Sequence, residues 1–390
     1  MAQILSGLEN LVASGARDIR GMRIGLLTNP CGIDSNFRTS IEVINELDFV
    51  QLVALYGPEH GIRGEVQAGD HVSAEIDQLT ELPIFSLYGE TRVPTGEMLG
   101  GIDALIVDFQ DIGVRYATYF STLDNVMTAC HQHGKQVIIL DRPNPLGGET
   151  VQGGLLREEF RSFIGTHTVP VMHGMTLGEL GLMLAEERKI TAPIVVPMIG
   201  WSRSMLWDET GLPWVLPSPN LPTLDSHIAY PGTCLIEGTS LSEGRGTTRP
   251  FEMIGAPWVE SNQFAKVLNA SDFPGIRARP VYFGPAFSKH AGKRCGGVQV
   301  YVDRSATANL VEYGVHLLRT LASLYPDNFD WADHPDGENR SFIDLLTGSD
   351  DVRKAIDSGA EMDDLFDGWR TECAEFRDRR APFLLYDSVR

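Results

Sequence analysis

Residues 52–64 read Leu-Val-Ala-Leu-Tyr-Gly-Pro-Glu-His-Gly-Ile-Arg-Gly and place three ionisable side chains directly after an apolar run. The run from Leu52 to Leu55 predicts a buried strand, and the Gly-Pro pair that follows predicts its end. Glu59, His60 and Arg63 come next in the chain. Open α/β sheets bind their ligands at the carboxyl ends of their strands. This stretch therefore predicts both a parallel sheet and the place of its ligand site.

Short apolar runs alternate with helical patterns on both sides of this stretch. Further strands are predicted at 23–28, 104–109, 137–140 and 194–197. Helices are predicted at about 39–47, through 123–130 and at 176–188. Thr176 and Glu179 have the spacing of a capping box at the start of the last helix. The alternation predicts a Rossmann-like α/β fold, with a mainly parallel sheet and helices on both faces.

The pattern changes in the second half of the chain. Pro, Gly, Trp, Ser and Thr are frequent between residues 201 and 257, which predicts loops. Beyond them, valines alternate over 298–302 as in a half-exposed strand, and leucines recur at helical spacing over 310–324. We therefore predict two domains, a Rossmann-like domain over residues 1–230 and a smaller C-terminal α+β auxiliary domain over residues 231–390 that completes the cleft.

The charge balance limits the possible partners. The 390 residues include 52 acidic and 32 basic side chains, for a formal net charge of −20. Such a charge opposes binding to nucleic acid and to anionic membranes. No apolar stretch has the length of a membrane span, and the N-terminus lacks the regions of a signal peptide. The sequence predicts a soluble, cytoplasmic protein, or an exported one if a signal peptide has been removed.

Several well-known signatures are absent. Five widely spaced cysteines without a Cys-x-x-Cys pair predict reduced thiols rather than disulfides or a zinc site. There is no G-x-S-x-G elbow, Walker A loop, H-E-x-x-H motif or G-x-G-x-x-G after the first strand. No dinucleotide and no other cofactor is therefore predicted. Polar blocks stand at the predicted strand ends and helix starts instead: 108–116 (DFQDIGVRY), 141–145 (DRPNP), 173–176 (HGMT), 217–220 (PSPN), 237–240 (EGTS) and 243–248 (EGRGTT).

These blocks resemble the exo-acting β-N-acetylmuramidases of the NamZ type. The resemblance runs from about Arg23 to the C-terminus, and the motifs that carry it are GPEHGIRG, QDIGVR, LDRPNPLGG, HGMT, PSPNLP and EGRGTT. It implies hydrolysis of the β-glycosidic bond of a non-reducing-end N-acetylmuramic acid in peptidoglycan fragments. It also implies a Rossmann-like catalytic domain with a smaller C-terminal auxiliary domain, and Glu59 as the catalytic acid.

Hydrolysis of a glycosidic bond needs an acid for the leaving oxygen and usually a second carboxylate. The candidates for that second group stay open: Asp111, Asp141, Glu237 and Glu243. The lactyl carboxylate of N-acetylmuramic acid is a planar anion that suits a bidentate guanidinium. The predicted catalytic set is Glu59, His60, Asp111 and Glu243. The predicted substrate-binding set is Arg63, Arg115, Tyr116, Asp141, Arg142, Asn144, His173, Asn220, Glu237 and Arg245.

Two other functions are compatible with the same residues. A metal-dependent amidase or phosphoesterase would bind a divalent ion with oxygen and imidazole ligands such as Asp108, Asp111, Asp141, His60 and His173. None of these shows a fixed ligand spacing, and no metal is predicted. A non-catalytic carbohydrate-binding protein would use the stacking surfaces of Trp201, Trp207, Trp214 and Trp258. The predicted partners are muramic acid saccharides derived from peptidoglycan, without nucleic acid, and no oligomeric state is assigned.

Overall fold

The computed structural model describes residues 4–15, 17–64, 66–67, 75–271, 273–304, 308–334 and 340–388. The strands in these ranges are β1 (Arg23–Thr28), β2 (Gln51–Gly57), β3 (Glu75–Ile76), β4 (Pro83–Ser86), β5 (Ala104–Asp108), β6 (Gln136–Leu140), β7 (Gln152–Leu155), β8 (Pro170–Met172), β9 (Ile194–Val196), β10 (Met253–Ala256), β11 (Ile276–Phe283) and β12 (Cys295–Val302). The α-helices are α1 (Gly7–Ala13), α2 (Ser40–Asn45), α3 (Gly96–Leu99), α4 (Thr118–Gln132), α5 (Leu177–Arg188), α6 (Leu224–Thr233), α7 (Ser261–Ala270), α8 (Leu310–Leu324), α9 (Phe342–Thr347), α10 (Asp351–Ser358) and α11 (Asp363–Arg380). None of the helices in these described ranges is both long and apolar enough to cross a membrane.

The central sheet has seven strands in the order β3-β4-β2-β1-β5-β6-β9. Its neighbours pair in parallel except for β3 and β4, which are antiparallel. The mainly parallel sheet predicted from the sequence is thereby confirmed. The predicted strands correspond to β1, β2, β5, β6 and β9, with each end within two residues of its predicted place.

Both faces of this sheet are buried, which explains why its strands have continuous apolar runs. Leu26 and Ile106 belong to a cluster that includes residues of α1 and α2. Leu27 and Val107, one position further along their strands, belong to a second cluster that includes residues of α4 and α5. Successive side chains of a strand point to opposite faces, so each strand contributes to both layers. The predicted helices on both faces are confirmed.

Local signals fix where several helices begin. The side chain of Thr176 accepts a hydrogen bond from the Glu179 amide, and the Glu179 carboxylate accepts one from the Thr176 amide. This reciprocal pair is the predicted capping box at the start of α5. Helix α8 has the predicted bounds of residues 310–324, and its buried leucines form the predicted stripe. Capping and periodicity thus determine these elements from nearby residues alone.

The C-terminal part contains an antiparallel sheet in the order β10-β12-β11, with α7 and α8 packed in the same core. The prediction of loops throughout residues 201–257 is wrong in part, because α6 and β10 lie within that range. Pro231 and Gly232 lie in the last turn of α6, and these residue types predict a loop when the sequence is considered alone. A Cβ atom on Gly232 would lie 2.2 Å from the Leu310 carbonyl oxygen, so glycine allows α6 and α8 to pack closely.

The last long helix returns to the first half of the chain. Phe376 and Cys373 of α11 pack with Val169 and Met183 in one apolar cluster. Arg380, at the end of α11, donates a 2.7 Å hydrogen bond to the His173 carbonyl oxygen. The predicted boundary near residue 230 lies within α6. The two predicted domains are therefore joined by packing as well as by the chain, and the boundary stays a prediction.

The five cysteines are buried and unpaired, as predicted. Burial raises the pKa of the Cys31 and Cys130 thiols to about 12. A thiol with so high a pKa is protonated at neutral pH and is a poor nucleophile. These cysteines contribute apolar volume to the core rather than chemistry.

Candidate active site

A cleft of about 1140 Å³ lies at the carboxyl ends of the parallel strands. Residues that follow β2 and β5 form one wall, among them Glu59, His60 and Tyr116. Residues of the C-terminal part form the facing wall, among them Glu243 and Arg245. The position agrees with the rule that open α/β sheets bind ligands beyond the carboxyl ends of their strands. The four tryptophans considered for sugar stacking are not among the residues that line the cleft.

The turn after β2 presents Glu59 and His60 to the cleft. His60 has a left-handed backbone with φ of 73°, and Gly61 follows with φ of 75°. Such a conformation is costly for a residue with a Cβ atom and often marks a functional turn. The His60 imidazole Nδ1 donates a 2.8 Å hydrogen bond to the Val66 carbonyl oxygen, which fixes the ring. Burial, together with the Arg245 charge, holds the pKa of His60 below its ordinary value.

Glu59 is held by the first residue of α4. The Thr118 hydroxyl donates a 2.5 Å hydrogen bond to Glu59 Oε2, and the glutamate is only 8% exposed. A buried carboxyl group with a fixed orientation can be directed at one atom of a bound ligand. The turn and the helix start together position this acid, although 59 residues separate the two.

Two acids and two bases form a connected cluster on the facing wall, which we call the charged quartet: Glu237, Glu243, Arg245 and Lys289. Arg245 Nε donates to Glu237 Oε1 at 2.8 Å and lies 3.4 Å from Glu243 Oε1. Lys289 Nζ donates to the Glu237 carbonyl oxygen at 3.0 Å and lies 3.3 Å from Glu243 Oε2. Burial alone would raise the pKa of Glu237, but Arg245 and Lys289 hold it below its ordinary value.

The glycines on either side of Arg245 shape this wall. Gly244 and Gly246 have φ of 85° and 77°. A Cβ atom on Gly244 would lie 2.6 Å from the Met253 carbonyl oxygen, and one on Gly246 would lie 2.6 Å from the Phe287 carbonyl oxygen. Only glycine fits both the backbone angles and these close approaches. The glycines of this block thus serve the turn that carries Arg245 into the cleft.

Lys289 was not among the predicted site residues. It lies between Ser288 and His290, whose left-handed backbones have φ of 65° and 59°. The His290 ring Nε2 donates a 2.9 Å hydrogen bond to the Ser240 carbonyl oxygen and so anchors the loop. A lone lysine in a loop forms no motif, so nothing in the local sequence marks it. Only the tertiary structure shows that Lys289 lies beside Glu243 in the cleft.

Half of the predicted residues line this cleft: Glu59, His60, Tyr116, Asn220, Glu237, Glu243 and Arg245. Asn220 Nδ2 donates a 3.1 Å hydrogen bond to Gln67 Oε1, and the Tyr116 hydroxyl donates to the Pro231 carbonyl oxygen. The other predicted residues are not in the lining: Arg63, Asp111, Arg115, Asp141, Arg142, Asn144 and His173.

Three of the four arginines predicted to form the anion pocket have other partners. Arg63 pairs with Asp77 at 2.5 Å and its side chain is 56% exposed. Arg142 makes two hydrogen bonds to Asp108, at 2.6 and 3.0 Å, within the protein interior. Arg115 is fully buried and donates to three backbone carbonyl oxygens. Of these four arginines only Arg245 lines the cleft, and contact of the other three with a substrate stays a prediction.

The remaining predicted residues also bond within the fold. Asp141 accepts hydrogen bonds from Thr176 Oγ1, the Gly178 amide and the Tyr386 hydroxyl, at 2.6–2.9 Å. Asn144 Nδ2 donates to the Met175 carbonyl oxygen at 3.0 Å. These contacts tie the end of β6 to the start of α5. Substrate contact by Asp141 and Asn144 stays a prediction, since neither residue lines the cleft.

Asp111 and His173 face each other in the interior. The closest approach, from His173 Nε2 to Asp111 Oδ2, is 4.0 Å, and Asp111 Oδ2 accepts a 2.8 Å hydrogen bond from the Gly113 amide. Burial lowers the pKa of His173 to about 3 and raises that of Asp111 to about 6. A fully buried histidine of this kind is neutral at physiological pH. The two side chains lie outside the cleft lining, and their contact with substrate stays a prediction.

Of the side chains considered for a metal, Asp111 and His173 approach each other to 4.0 Å, and the other three have separate partners. Asp108 bonds to Arg142, Asp141 bonds to Tyr386, and His60 bonds to a backbone carbonyl. Over the residues for which coordinates are described, three or more His, Cys, Asp or Glu side chains nowhere lie close enough to bind one ion.

Replacing Asp111 with asparagine is expected to change how stability depends on pH. The pKa of about 6 in the folded chain exceeds the unfolded value of about 3.9. Below about pH 4 the carboxyl group contributes its full stabilisation, and this is lost as pH rises through about 6. Between pH 4.5 and 7.5, the free energy of unfolding measured with urea should fall by about 2 kcal/mol more for the wild type than for the variant. Exposed Asp327→Asn is the matched control, and an equal loss in wild type and Asp111→Asn would contradict the assignment.

The fold is that of a Rossmann-like α/β protein, with a polar cleft beyond its strands that Glu59 and the charged quartet line. Family models described as Exo-beta-N-acetylmuramidase NamZ, N-terminal, and Exo-beta-N-acetylmuramidase NamZ, C-terminal, match residues 24–225 and 228–386. The chain belongs to the NamZ family of exo-β-N-acetylmuramidases.

Comparisons with individual proteins agree with this family. The chain is 41% identical over 385 residues to the peptidoglycan beta-N-acetylmuramidase NamZ of Bacillus subtilis (strain 168), covering 98% of this chain and 92% of the relative. A crystal structure of a DUF1343 family protein from Bacteroides fragilis NCTC 9343 matches with a TM-score of 0.90 and 38% identity, over 99% of this chain and 100% of the other. A second structure from the same organism and family has a TM-score of 0.76 and 29% identity, over 100% of both chains.

Proposed function

We propose that this protein is an exo-acting glycosidase that releases non-reducing-end β-linked N-acetylmuramic acid from peptidoglycan fragments. The observation that carries the proposal is the 41% identity, over nearly the whole chain, with a protein named as a peptidoglycan beta-N-acetylmuramidase. The cleft supports it, because a buried glutamate and a facing carboxylate–cation cluster both line it. In this proposal both predicted domains contribute, with Glu59 from residues 1–230 and the charged quartet from residues 231–390.

Glu59 is proposed as the acid that protonates the leaving glycosidic oxygen. Its burial separates it from bulk water, and Thr118 fixes the orientation of the carboxyl group. His60 lies beside it with its Nδ1 bonded to the backbone. Because its pKa is lowered, the ring is neutral at pH 7, and its Nε2 can accept a hydrogen bond. We propose that His60 uses this atom to orient the sugar next to Glu59.

Glu243 is proposed as the second carboxylate. Its Oε2 is buried and has no hydrogen-bond partner among the described residues, although Lys289 balances its charge. Glu237 lines the same cleft, but its two oxygens accept hydrogen bonds from Arg245 and from the Cys234 thiol. A carboxylate with an unused acceptor atom is better placed to stabilise the positive charge that develops at the anomeric carbon.

Glutamine substitutions distinguish the two carboxylates. We expect Glu243→Gln to lower kcat for N-acetylmuramic acid release by about 100-fold, and Glu237→Gln to lower it by less than about 10-fold. Each substitution removes one ion pair with Arg245. A loss of activity caused only by a missing ion pair should therefore be the same in the two variants. Equal losses in kcat would remove Glu243 from the chemistry and leave it a structural role.

The function itself is tested by incubation with a β-linked N-acetylmuramic acid–N-acetylglucosamine disaccharide, with mass spectrometry of the products. The expected result is release of free N-acetylmuramic acid by the wild type and by a sample treated with EDTA. Loss of release in EDTA would favour the metal-dependent hydrolase considered from the sequence. Tight binding without product over hours would favour the carbohydrate-binding protein.

A further inference from the structure

We propose that Arg92 binds the carboxylate of the ligand in the cleft. This inference rests on the proposed function, since it names the residue that recognises the acidic part of a muramic acid saccharide. None of the four arginines predicted from the sequence is an unpaired cation in the cleft. Three lie outside the cleft, and Arg245 is paired with Glu237 and Glu243. Arg92 lines the cleft and was not predicted.

The cations of the cleft differ in what they already contact. Lys289 is bound to Glu243 and to two backbone carbonyl oxygens. Arg161 pairs with Glu158 at 2.8 Å, and Arg340 has interactions of its own. The Arg92 guanidinium instead lies over aromatic rings, and within the described ranges no carboxylate pairs with it. Arg92 therefore brings to the cleft a positive charge that no ion pair with a described acidic side chain neutralises.

Two rings hold the Arg92 guanidinium in place. Its Cζ lies 4.4 Å from the centroid of the Phe163 ring and 5.4 Å from that of Tyr88. The rings themselves are 5.8 Å apart and tilted by 44°. All three residues line the cleft. Contact with an aromatic face is favourable for a guanidinium and leaves N–H groups at its edge for hydrogen bonds.

The backbone of Arg92 is tied to the element that holds the proposed acid. Asn125 Nδ2 donates a 3.0 Å hydrogen bond to the Arg92 carbonyl oxygen. Asn125 belongs to α4, whose first residue, Thr118, bonds to Glu59. One rigid helix thus fixes both the arginine and the acid. Preorganisation of this kind reduces the entropy lost when a ligand binds.

Carboxylate is the ligand chemistry that suits this arrangement. Guanidinium and carboxylate are both planar and form two parallel hydrogen bonds. Muramic acid has a lactyl carboxylate when it is unsubstituted, whereas a peptide-bearing muramic acid has its carboxylates further out in the peptide. An unpaired arginine also offsets the repulsion that the acidic chain exerts on either anion. The experiment below separates the two sources.

The test compares wild type, Arg92→Met and Arg92→Lys on three disaccharides. These contain a free lactyl carboxylate, a lactyl methyl ester, or a lactyl-linked dipeptide with a terminal carboxylate. For the free acid we expect Arg92→Met to raise KM by about 10–100-fold with kcat nearly unchanged, and Arg92→Lys to fall between. For the ester, wild type and Arg92→Met should have the same KM. A KM increase confined to the peptide substrate would assign the arginine to the peptide carboxylate instead.

Arg20→Met is the matched control, because the Arg20 guanidinium also lies over a ring, 4.1 Å from the Phe49 centroid, but does not line the cleft. It should leave every KM unchanged. Equal KM values for wild type and Arg92→Met on all three substrates would overturn the inference. If the wild type released no sugar, the proposed function would fail by itself. Calorimetry would then test Arg92 by comparing the affinities for N-acetylmuramic acid and N-acetylglucosamine. The wild type should bind the acid more tightly than the neutral sugar, and Arg92→Met should not. The same preference for the acid in both proteins would overturn the inference.

Discussion

Replacement of Glu59 by glutamine is expected to lower kcat for the disaccharide by about 1000-fold with little change in stability. Glutamine has nearly the same size and can still accept the hydrogen bond from Thr118, so the turn after β2 should keep its shape. The amide has no proton to give to the leaving oxygen, and that oxygen then departs as a costly anion. Steady-state release of N-acetylmuramic acid, with a urea titration of each protein, measures both effects.

The identity of the leaving group provides an internal control. A 4-nitrophenyl glycoside releases 4-nitrophenolate, a stable anion that needs little protonation. With this substrate, the decrease in kcat caused by Glu59→Gln should therefore be only about 10-fold. Glu97→Gln changes an exposed glutamate at the start of α3 and should behave like wild type on both substrates. Equal losses on the two substrates would mean that Glu59 has a role other than the general acid.

Replacement of Arg115 by methionine is expected to lower the free energy of unfolding by about 3 kcal/mol. Arg115 is 0% exposed and donates to the carbonyl oxygens of Gly154, Val169 and Leu346 at 2.7–3.0 Å. Methionine fills similar volume but leaves all three buried carbonyl groups without this donor. Since Leu346 belongs to α9 and Gly154 to β7, the arginine joins the two halves of the chain. The midpoint of urea unfolding should fall accordingly.

Arg277→Met is the control for Arg115→Met. Arg277 also donates to a backbone carbonyl oxygen, that of Ile276 at 2.8 Å, but it is exposed on β11. Its replacement should change stability by less than about 0.5 kcal/mol. Under conditions where Arg115→Met stays folded, its KM should match the wild type. A raised KM with unchanged stability would support the sequence-based assignment of Arg115 to substrate.

The fold was predictable because its signals are local. Continuous apolar runs located five strands of the central sheet, leucines at helical spacing located α8, and a capping box located the start of α5. Helix α6 was not predicted because it contains a proline and a glycine, which normally end helices. The glycine allows close packing of α6 against α8. That contact joins residues far apart in the chain, so no local pattern records it.

The site was predictable only in part, since a polar residue at a strand end serves either the cleft or the fold. Asp141-Arg142 and Glu243-Gly-Arg245 look alike as sequence, each with an acid beside an arginine. Asp141 and Arg142 turned out to bond within the interior, whereas Glu243 and Arg245 line the cleft. Which one occurs depends on the direction of each side chain, and packing against distant elements sets that direction.

The sequence by itself predicted the α/β class and a candidate site at the end of β2, and the resemblance carried by its motifs implied Glu59 as the acid. Hydrophobic periodicity, turn residues and ordered motifs are properties of neighbouring residues, so they can be read without a structure. Only the tertiary structure placed Lys289 beside Glu243 and Arg92 against its two rings. These residues come from separate loops with no motif, and they meet because the parallel sheet and the C-terminal part fold into two walls of one cleft.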